Sequence, residues 1–386
     1  MKVYLDNAAT TRMDKEVFDA MLPYLRDEYG NPSSMHDLGQ KARAAVEDAR
    51  AKVAALINAK PAEIIFTSSG TEANNFAVKG AAYAGKRKGN HIIVSSIEHF
   101  SVLYSVRMLA KDGYEVTYLP VDKYGMVNPD DVTAAIKDKT VLISVMHANN
   151  EVGTIQPIAE IAKIAKSKGI PFHTDAVSTA GSIEADVEKM GVDTLTLAAN
   201  QFYGPKGAAA LYIRSKTRIV PLLHGGVQEE GRRAGTEDVA SIVGMGAAAE
   251  IALKGMAKNS AYTTKLRDKL IDALKTKIPN IYLNGHAVDR IPGNINICVE
   301  FIEGESMLLF LNMEGISASS GSSCTSKALK ASHVLTAMGV DAALANGSLL
   351  LSLGKNNTEE EIDYVIEKLP PIVERLRKMS PLYKKP

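Results

Sequence analysis

Seven short apolar runs alternate with helical patterns through the first two thirds of the chain: EIIFTSS, HIIVSS, EVTYLPV, TVLISVMHA, PFHTDAV, TLTLAAN and AAALYI. Runs this rich in β-branched side chains, with helices such as PIAEIAKIAKSKG between them, predict a mainly parallel sheet covered on both faces. The helix from Pro157 carries the expected punctuation, proline in its first turn and Gly169 after its end. Ligands in such folds gather at the carboxyl ends of the strands. The polar motifs of this chain fall there.

At 386 residues the chain is too long for one ordinary core. After about Gly255 the pattern changes to an amphipathic helix (NSAYTTKLRDKLIDALKTKI), short strands, a small-residue loop and a closing helix (TEEEIDYVIEKLPPIVERLRKM). This predicts a large α/β domain over 13–251 and a smaller α+β domain made of 1–12 and 252–386. The net charge of +1, without a long basic run, gives nucleic acid no purchase. No apolar stretch approaches the roughly 20 residues that span a bilayer, and MKVYLDNAAT lacks a signal-peptide core, so a soluble cytoplasmic protein is expected. Two cysteines, Cys298 and Cys324, are too few for a disulfide framework or a zinc site made by this chain alone.

FTSSGTEANN, at 66–75, reads as a strand, a glycine turn and a helix start at Thr71 and Glu72, a cup suited to a phosphate. The same letters also describe a plain N-cap with a capping glutamate. His99 follows HIIVSS in SIEHF, where an imidazole is either structural or stacks on a flat heterocycle. HANNEVGTIQP puts Asn149, Asn150 and Glu151 after the next strand, and FHTDAVST puts Asp175 after another. A strand-end aspartate is commonly a loop cap. Facing a pyridine nitrogen, it keeps that nitrogen protonated and makes pyridoxal phosphate an electron sink. Together these pieces describe a pyridoxal phosphate cup.

From here the chain resembles the cysteine desulfurases of the NifS/IscS type, in the fold-type I (class V aminotransferase) group. YLDNAATT (4–11), GNPSSMH (30–36), FTSSGTEANN, EH (98–99), HANNEVGTIQP (147–157), HTDA (173–176), YGPKG (203–207), GRRAGTE (231–237), EGES (303–306), SSGSSCTS (319–326) and SPLY (380–383) carry the resemblance nearly end to end. It implies a fold-type I transferase with a seven-stranded, mainly parallel sheet, a homodimer, and a lysine-bound cofactor that takes cysteine. It further implies that Cys324, on a mobile loop, attacks the substrate sulfur, and that the sulfur passes to a scaffold building iron–sulfur clusters. Thr71, His99, Asn150, Asp175, Ser178, Asn200 and Gln201 are the implied cofactor-cup positions. Thr236, in GGVQEEGRRAGTEDV, is implied to reach the partner subunit's cofactor phosphate.

The chain departs from this pattern at the chemistry. TLTLAANQFYGPKG has Ala198, Ala199, Asn200 and Gln201 where the family places a Ser-x-His-Lys-like run. A carboxamide nitrogen is delocalised into its carbonyl and forms no imine, nor does it shuttle the substrate α-proton. Lys206 lies five residues on, across Gly204–Pro205, and points elsewhere. Ser178 stands where the family has a glutamine, and Leu350, in GSLLLSLG, where it has the arginine that clamps the substrate carboxylate. One lost clamp of that kind costs on the order of 2–4 kcal/mol. Val227 and Glu230 replace a glycine and an arginine, and a new carboxylate near a phosphate cup repels it. The expectation is impaired or absent desulfurase activity, with pyridoxal phosphate doubtful and not covalently bound.

Cys298, in the alternating run NINICVEF, is expected to be a buried strand thiol. Cys324, in ISASSGSSCTS, sits among small polar residues that suit an exposed loop. It is an incidental thiol, the family's persulfide carrier, or a thiolate filling an open position of a cluster held by a partner. The reading adopted is the last: a [2Fe-2S] cluster shared with a U-type scaffold that docks near this loop and the C-terminus. The rival is a slow desulfurase with noncovalently held cofactor and a Cys324 persulfide.

Overall fold

The computed structural model describes residues 1–321 and 331–383. Cys324 lies outside the described residues. The strands are β1 (Val3–Tyr4), β2 (Ile64–Thr67), β3 (His91–Ser95), β4 (Glu115–Leu119), β5 (Thr140–Ser144), β6 (Phe172–Asp175), β7 (Thr194–Ala198), β8 (Ala209–Ile213), β9 (Ile281–Asn284), β10 (Asn294–Val299), β11 (Ile316–Ser317) and β12 (Ser348–Ser352). Seven of them form one sheet in the order β2-β8-β7-β6-β5-β3-β4, and its seven members are the seven apolar runs. All neighbours pair in parallel except β8, antiparallel to both β2 and β7. Six of the seven are buried at every residue. Their sequences show continuous apolar runs for that reason, with helices on both faces leaving no wet side.

The helix Ile158–Ser167 illustrates how the covering layer forms. Ile158, Ile161, Ala162 and Ala165 make one buried stripe at helical spacing. Pro157 occupies the N-cap, just before the first turn, and Gly169 follows with φ of 58°.

A second core lies around a three-stranded antiparallel sheet, β12-β10-β9, and the parallel pair β1-β11. Val3 and Leu5 join it from the N-terminus, and Ile362, Val365, Leu369 and Val373 join it from the closing helix Glu359–Met379. Cys298 is fully buried on β10, and its thiol, pushed up to about 11 by burial, accepts a hydrogen bond from Asn284 Nδ2 at 3.1 Å.

One helix corrects the sequence reading twice. The amphipathic stretch after Gly255 is only the second half of a 39-residue helix, Val239–Lys277. Its first half escaped notice because it is apolar all round and shows no stripe. By length and composition it also reaches the measure of a membrane span, with mean hydropathy of 1.4 over its most apolar window. Here that half is a core helix: a Cβ at Gly246 would lie 2.6 Å from the Ala49 Cα, so only glycine allows its close contact with the helix Asp37–Leu56. Val239 to Ala252 belong to the larger core, and Leu266 to Leu274 to the smaller.

The base of the 221–238 loop is held by a buried ion pair. Arg50 donates from both terminal nitrogens to Glu229, at 2.7 and 2.8 Å, and Glu229 also accepts from Phe66 N at 2.9 Å. Arg50→Leu would strand a carboxylate that is only 2% exposed. We expect a loss of about 3–5 kcal/mol, read from urea unfolding, with much of it recovered in Arg50→Leu/Glu229→Leu.

Candidate functional site

β2, β3, β5, β6 and β7 all run the same way, and the loops leaving their carboxyl ends enclose a cavity of about 360 Å³. Thr71, His99, Asn150, Asp175, Ser178, Asn200 and Gln201 all line it. Thr236 does not; it is exposed, outside this chain's own cup. Glu230 is likewise solvent-facing and lies 3.7 Å from Arg232. Lys206 is exposed and lines no part of the cavity.

Asp175 ends β6, where the turn buries it. Its Oδ1 accepts from Val177 N at 2.9 Å and its Oδ2 from Asn74 Nδ2 at 2.6 Å. Burial pushes its pKa up, while His99 and these donors oppose the rise. Asn74 is 1% exposed; its Nδ2 also donates to Ser101 Oγ, and its Oδ1 has no partner among the described residues. His99 caps the helix Phe100–Lys111 by accepting from Ser101 N at Nδ1, 3.1 Å. In the neutral ring the proton therefore sits on Nε2.

The N-cap reading of SSGTE is realised alongside the cup. Ser69 Oγ accepts from Glu72 N at 3.2 Å, and the Glu72 carboxylate accepts from Ser68 N and from Arg233 Nε at 2.9 and 2.8 Å. Glu72 is thus neutralised, and the first-turn N–H groups of the helix Gly70–Gly85 keep their positive end. HANNEV divides its labour. Asn149 pins the turn, accepting from Glu151 N and Val152 N and donating to Ile97 O, while Asn150 lines the cup.

Gln201 follows β7 in the turn Ala199–Gln201. Its Nε2 donates to Ala8 O at 3.0 Å and Ala9 O at 3.2 Å, and its Oε1 accepts from no described residue. Leu350, 3% exposed on β12, adds an apolar wall. Among the described residues the lining holds no lysine and no arginine. It does hold three carboxyl groups, those of Asp6, Glu151 and Asp175. Glu151 is 5% exposed, accepts from Ser332 Oγ, and is pushed up to about 7 by burial. Among the described residues no group of three metal-ligating side chains is arranged to hold an ion.

Sequence reasoning passed over Asp6, Asn74, Glu98 and His333. Asp6 and Asn74 stood inside quoted motifs, YLDNAATT and FTSSGTEANN. Glu98 is fully buried beside His99; its Oε1 accepts from Met146 N at 2.7 Å, its Oε2 has no partner among the described residues, and burial raises it well above the carboxylate range. His333 lines the cup and donates from Nε2 to Glu98 O at 3.0 Å, a contact between segments 235 residues apart that no spacing announces.

The lining fits part of a pyridoxal phosphate. Asp175 and His99 suit a flat ring with a protonated nitrogen, and the helix start at Thr71 suits a phosphate. It does not fit the covalent anchor, because no described lining residue carries a primary amine, nor a substrate carboxylate, because Leu350 offers no charge.

The aminotransferase class-V pattern matches residues 3–365. Cysteine desulfurase IscS of Methanosarcina thermophila is 54% identical over 380 residues, 98% of this chain and 94% of that protein. Cysteine desulfurase IscS of Dictyoglomus turgidum is 52% identical over 380 residues, 98% of this chain and 96% of that protein. Among solved structures, a NifS-like protein superposes with a TM-score of 0.92 at 39% identity, covering 97% of this chain and all of that one (100%). The chain belongs to the aminotransferase class-V family, among IscS-type cysteine desulfurase homologues, and that membership implies pyridoxal phosphate as the family cofactor.

Proposed function

We propose that this chain is an atypical IscS-type homologue working in iron–sulfur cluster assembly, in which Cys324 supplies a thiolate to a [2Fe-2S] cluster held by a U-type scaffold protein. The observation that carries the reading is the state of residue 201. Gln201 makes no imine, and its nitrogen is already committed to the Ala8 and Ala9 carbonyls. With Leu350 in the wall and no lysine or arginine among the described lining residues, the lining offers neither an amine anchor nor a guanidinium clamp. Cys324 and its small-residue surroundings are retained in the sequence. Selection for the cysteine without the pyridoxal chemistry accounts for that pattern.

A scaffold has a surface to meet. A groove of about 790 Å³ runs beside the C-terminal segment, lined by Phe301, Ile302, Leu344, Leu376, Met379 and Leu382. Met379 and Leu382 are 68% and 69% exposed. Phe18, Leu22, Leu25, Tyr29, Met35 and Val227 are exposed apolar residues that we assign to the homodimer face, which brings Thr236 to the partner's cup. We divide the chain into domains 13–251 and 1–12 with 252–386, the two cores meeting within one helix. The second reading, a slow cysteine desulfurase with noncovalent pyridoxal phosphate and a Cys324 persulfide, is favoured by the intact Asp175–Asn74 and His99 arrangement.

Borohydride treatment of the purified protein, followed by peptide mass spectrometry, is expected to leave no pyridoxyl adduct on any lysine. An adduct on Lys206 or on any other lysine would overturn the reading of Gln201.

Gln201→Lys alone is expected to give colour without turnover. The new amine can condense with the aldehyde, and Leu350 still lacks the clamp. Sulfide release from cysteine should stay more than about tenfold below that of relatives with both lysine and arginine. A rate normal for the family would mean the other losses are unimportant.

Anaerobic reconstitution with iron and sulfide, in the presence of the scaffold, tests Cys324 directly. Cys324→Ser is expected to leave fold and docking intact and to shorten cluster lifetime in air, since thiolate outcompetes hydroxyl as an iron ligand. Cys298→Ser should keep wild-type cluster content, its site being a buried strand position. Equal iron counts and lifetimes for Cys324→Ser and wild type would remove the ligand role.

A further inference from the structure

We propose that the cup binds pyridoxamine 5′-phosphate, the amine form of the cofactor, in preference to the aldehyde form, with Gln201 Oε1 accepting from the ligand's ammonium arm. The inference does not depend on what Cys324 does.

A carboxamide is planar and carries its donor and acceptor on opposite edges. At Gln201 the donor edge is fixed by the two carbonyls of the N-terminal segment. The acceptor edge has no described partner, and the residue lines the cup. A ligand placed against it must bring a donor. An aldehyde oxygen only accepts, so it would set two acceptors against each other; an ammonium donates and carries charge, which makes the bond a charge-assisted one.

The charges of the lining point the same way. Asp6, Glu151 and Asp175 contribute carboxyl groups, and no described lining residue contributes a lysine or arginine to balance them. Asp6 Oδ1 and Asn74 Oδ1 are both buried acceptors without a partner among the described residues. A cup short of donors and of positive charge gains from a ligand that has an ammonium arm and a protonated ring nitrogen. The features that serve both forms equally are Asp175 at the ring nitrogen, His99 at the ring face and the helix start at Thr71 with its Glu72–Arg233 pair. They set the affinity. Residue 201 sets the preference, because a lysine there favours the aldehyde by condensing with it, and glutamine offers only an oxygen.

The test titrates the full-length protein with pyridoxamine 5′-phosphate and with pyridoxal 5′-phosphate by calorimetry, and follows thermal unfolding with each ligand. The amine form is expected to bind about tenfold more tightly than the aldehyde form, the worth of one charge-assisted hydrogen bond. In Gln201→Leu the ratio should fall to about one, and in Gln201→Glu it should rise. Should Gln201→Leu fail to fold for want of the Ala8 and Ala9 contacts, the wild-type ratio and Gln201→Glu decide. Cys324→Ser should leave the ratio unchanged, so this inference and the cluster role fail separately. Equal or tighter binding of the aldehyde form, or no stabilisation by either ligand, overturns the proposal.

Discussion

The cup exists because residues 5–11 are pinned from both sides. From the smaller core, Ser352 N donates to Leu5 O at 2.7 Å, Asn7 Nδ2 donates to Ser352 O at 2.8 Å, and Ala8 N donates to Ser352 Oγ at 2.8 Å. From the larger, Thr11 N donates to Asn200 O at 2.8 Å and Tyr203 N donates to Thr11 Oγ1 at 2.8 Å. Polar backbone in a seam must be paired, and here each core satisfies part of the other's segment. Gln201 completes the seam by covering the Ala8 and Ala9 carbonyls. A chain with a lysine at 201 asks that residue to be chemistry; this chain uses it as a fastener.

The seam encloses an imbalance. Asp175 and Glu151 in the cup wall, and Glu98 next to His99, are buried acids, and the described residues of the wall include no lysine or arginine. Burial disfavours the charged form of a carboxyl group, which is the direction in which all three are pushed, with His99 opposing the rise at Asp175.

Much of this was legible in the sequence because it depends on short, local patterns. Seven apolar runs became the seven strands of one sheet, since strands buried on both faces advertise themselves without periodicity. Thr71, His99, Asn150, Asp175, Ser178, Asn200 and Gln201 came together because each follows a strand of the same sheet, whose carboxyl ends converge. What stayed hidden has physical causes. The first half of the helix Val239–Lys277 is apolar all round, so it lacked a stripe to count. Asp6 and His333 reach the cup by tertiary contact from opposite ends of the chain. The fastening of Gln201 to Ala8 and Ala9 spans 193 and 192 residues and follows from no motif.

The described residues on either side of the Cys324 segment are tied to the walls of the cup. That segment is entered beside Ser319, which pairs with Leu350 through backbone groups alone: Leu350 N to Ser319 O at 2.7 Å and Ser319 N to Leu350 O at 3.2 Å. Ser348 Oγ adds a bond to Ser320 O at 3.1 Å. On the far side Ser332 caps the helix His333–Ala337 and donates to Glu151. None of these contacts uses the side chain of residue 350. A leucine at 350 makes that part of the cup wall apolar and leaves the backbone pairing that holds Ser319 undisturbed.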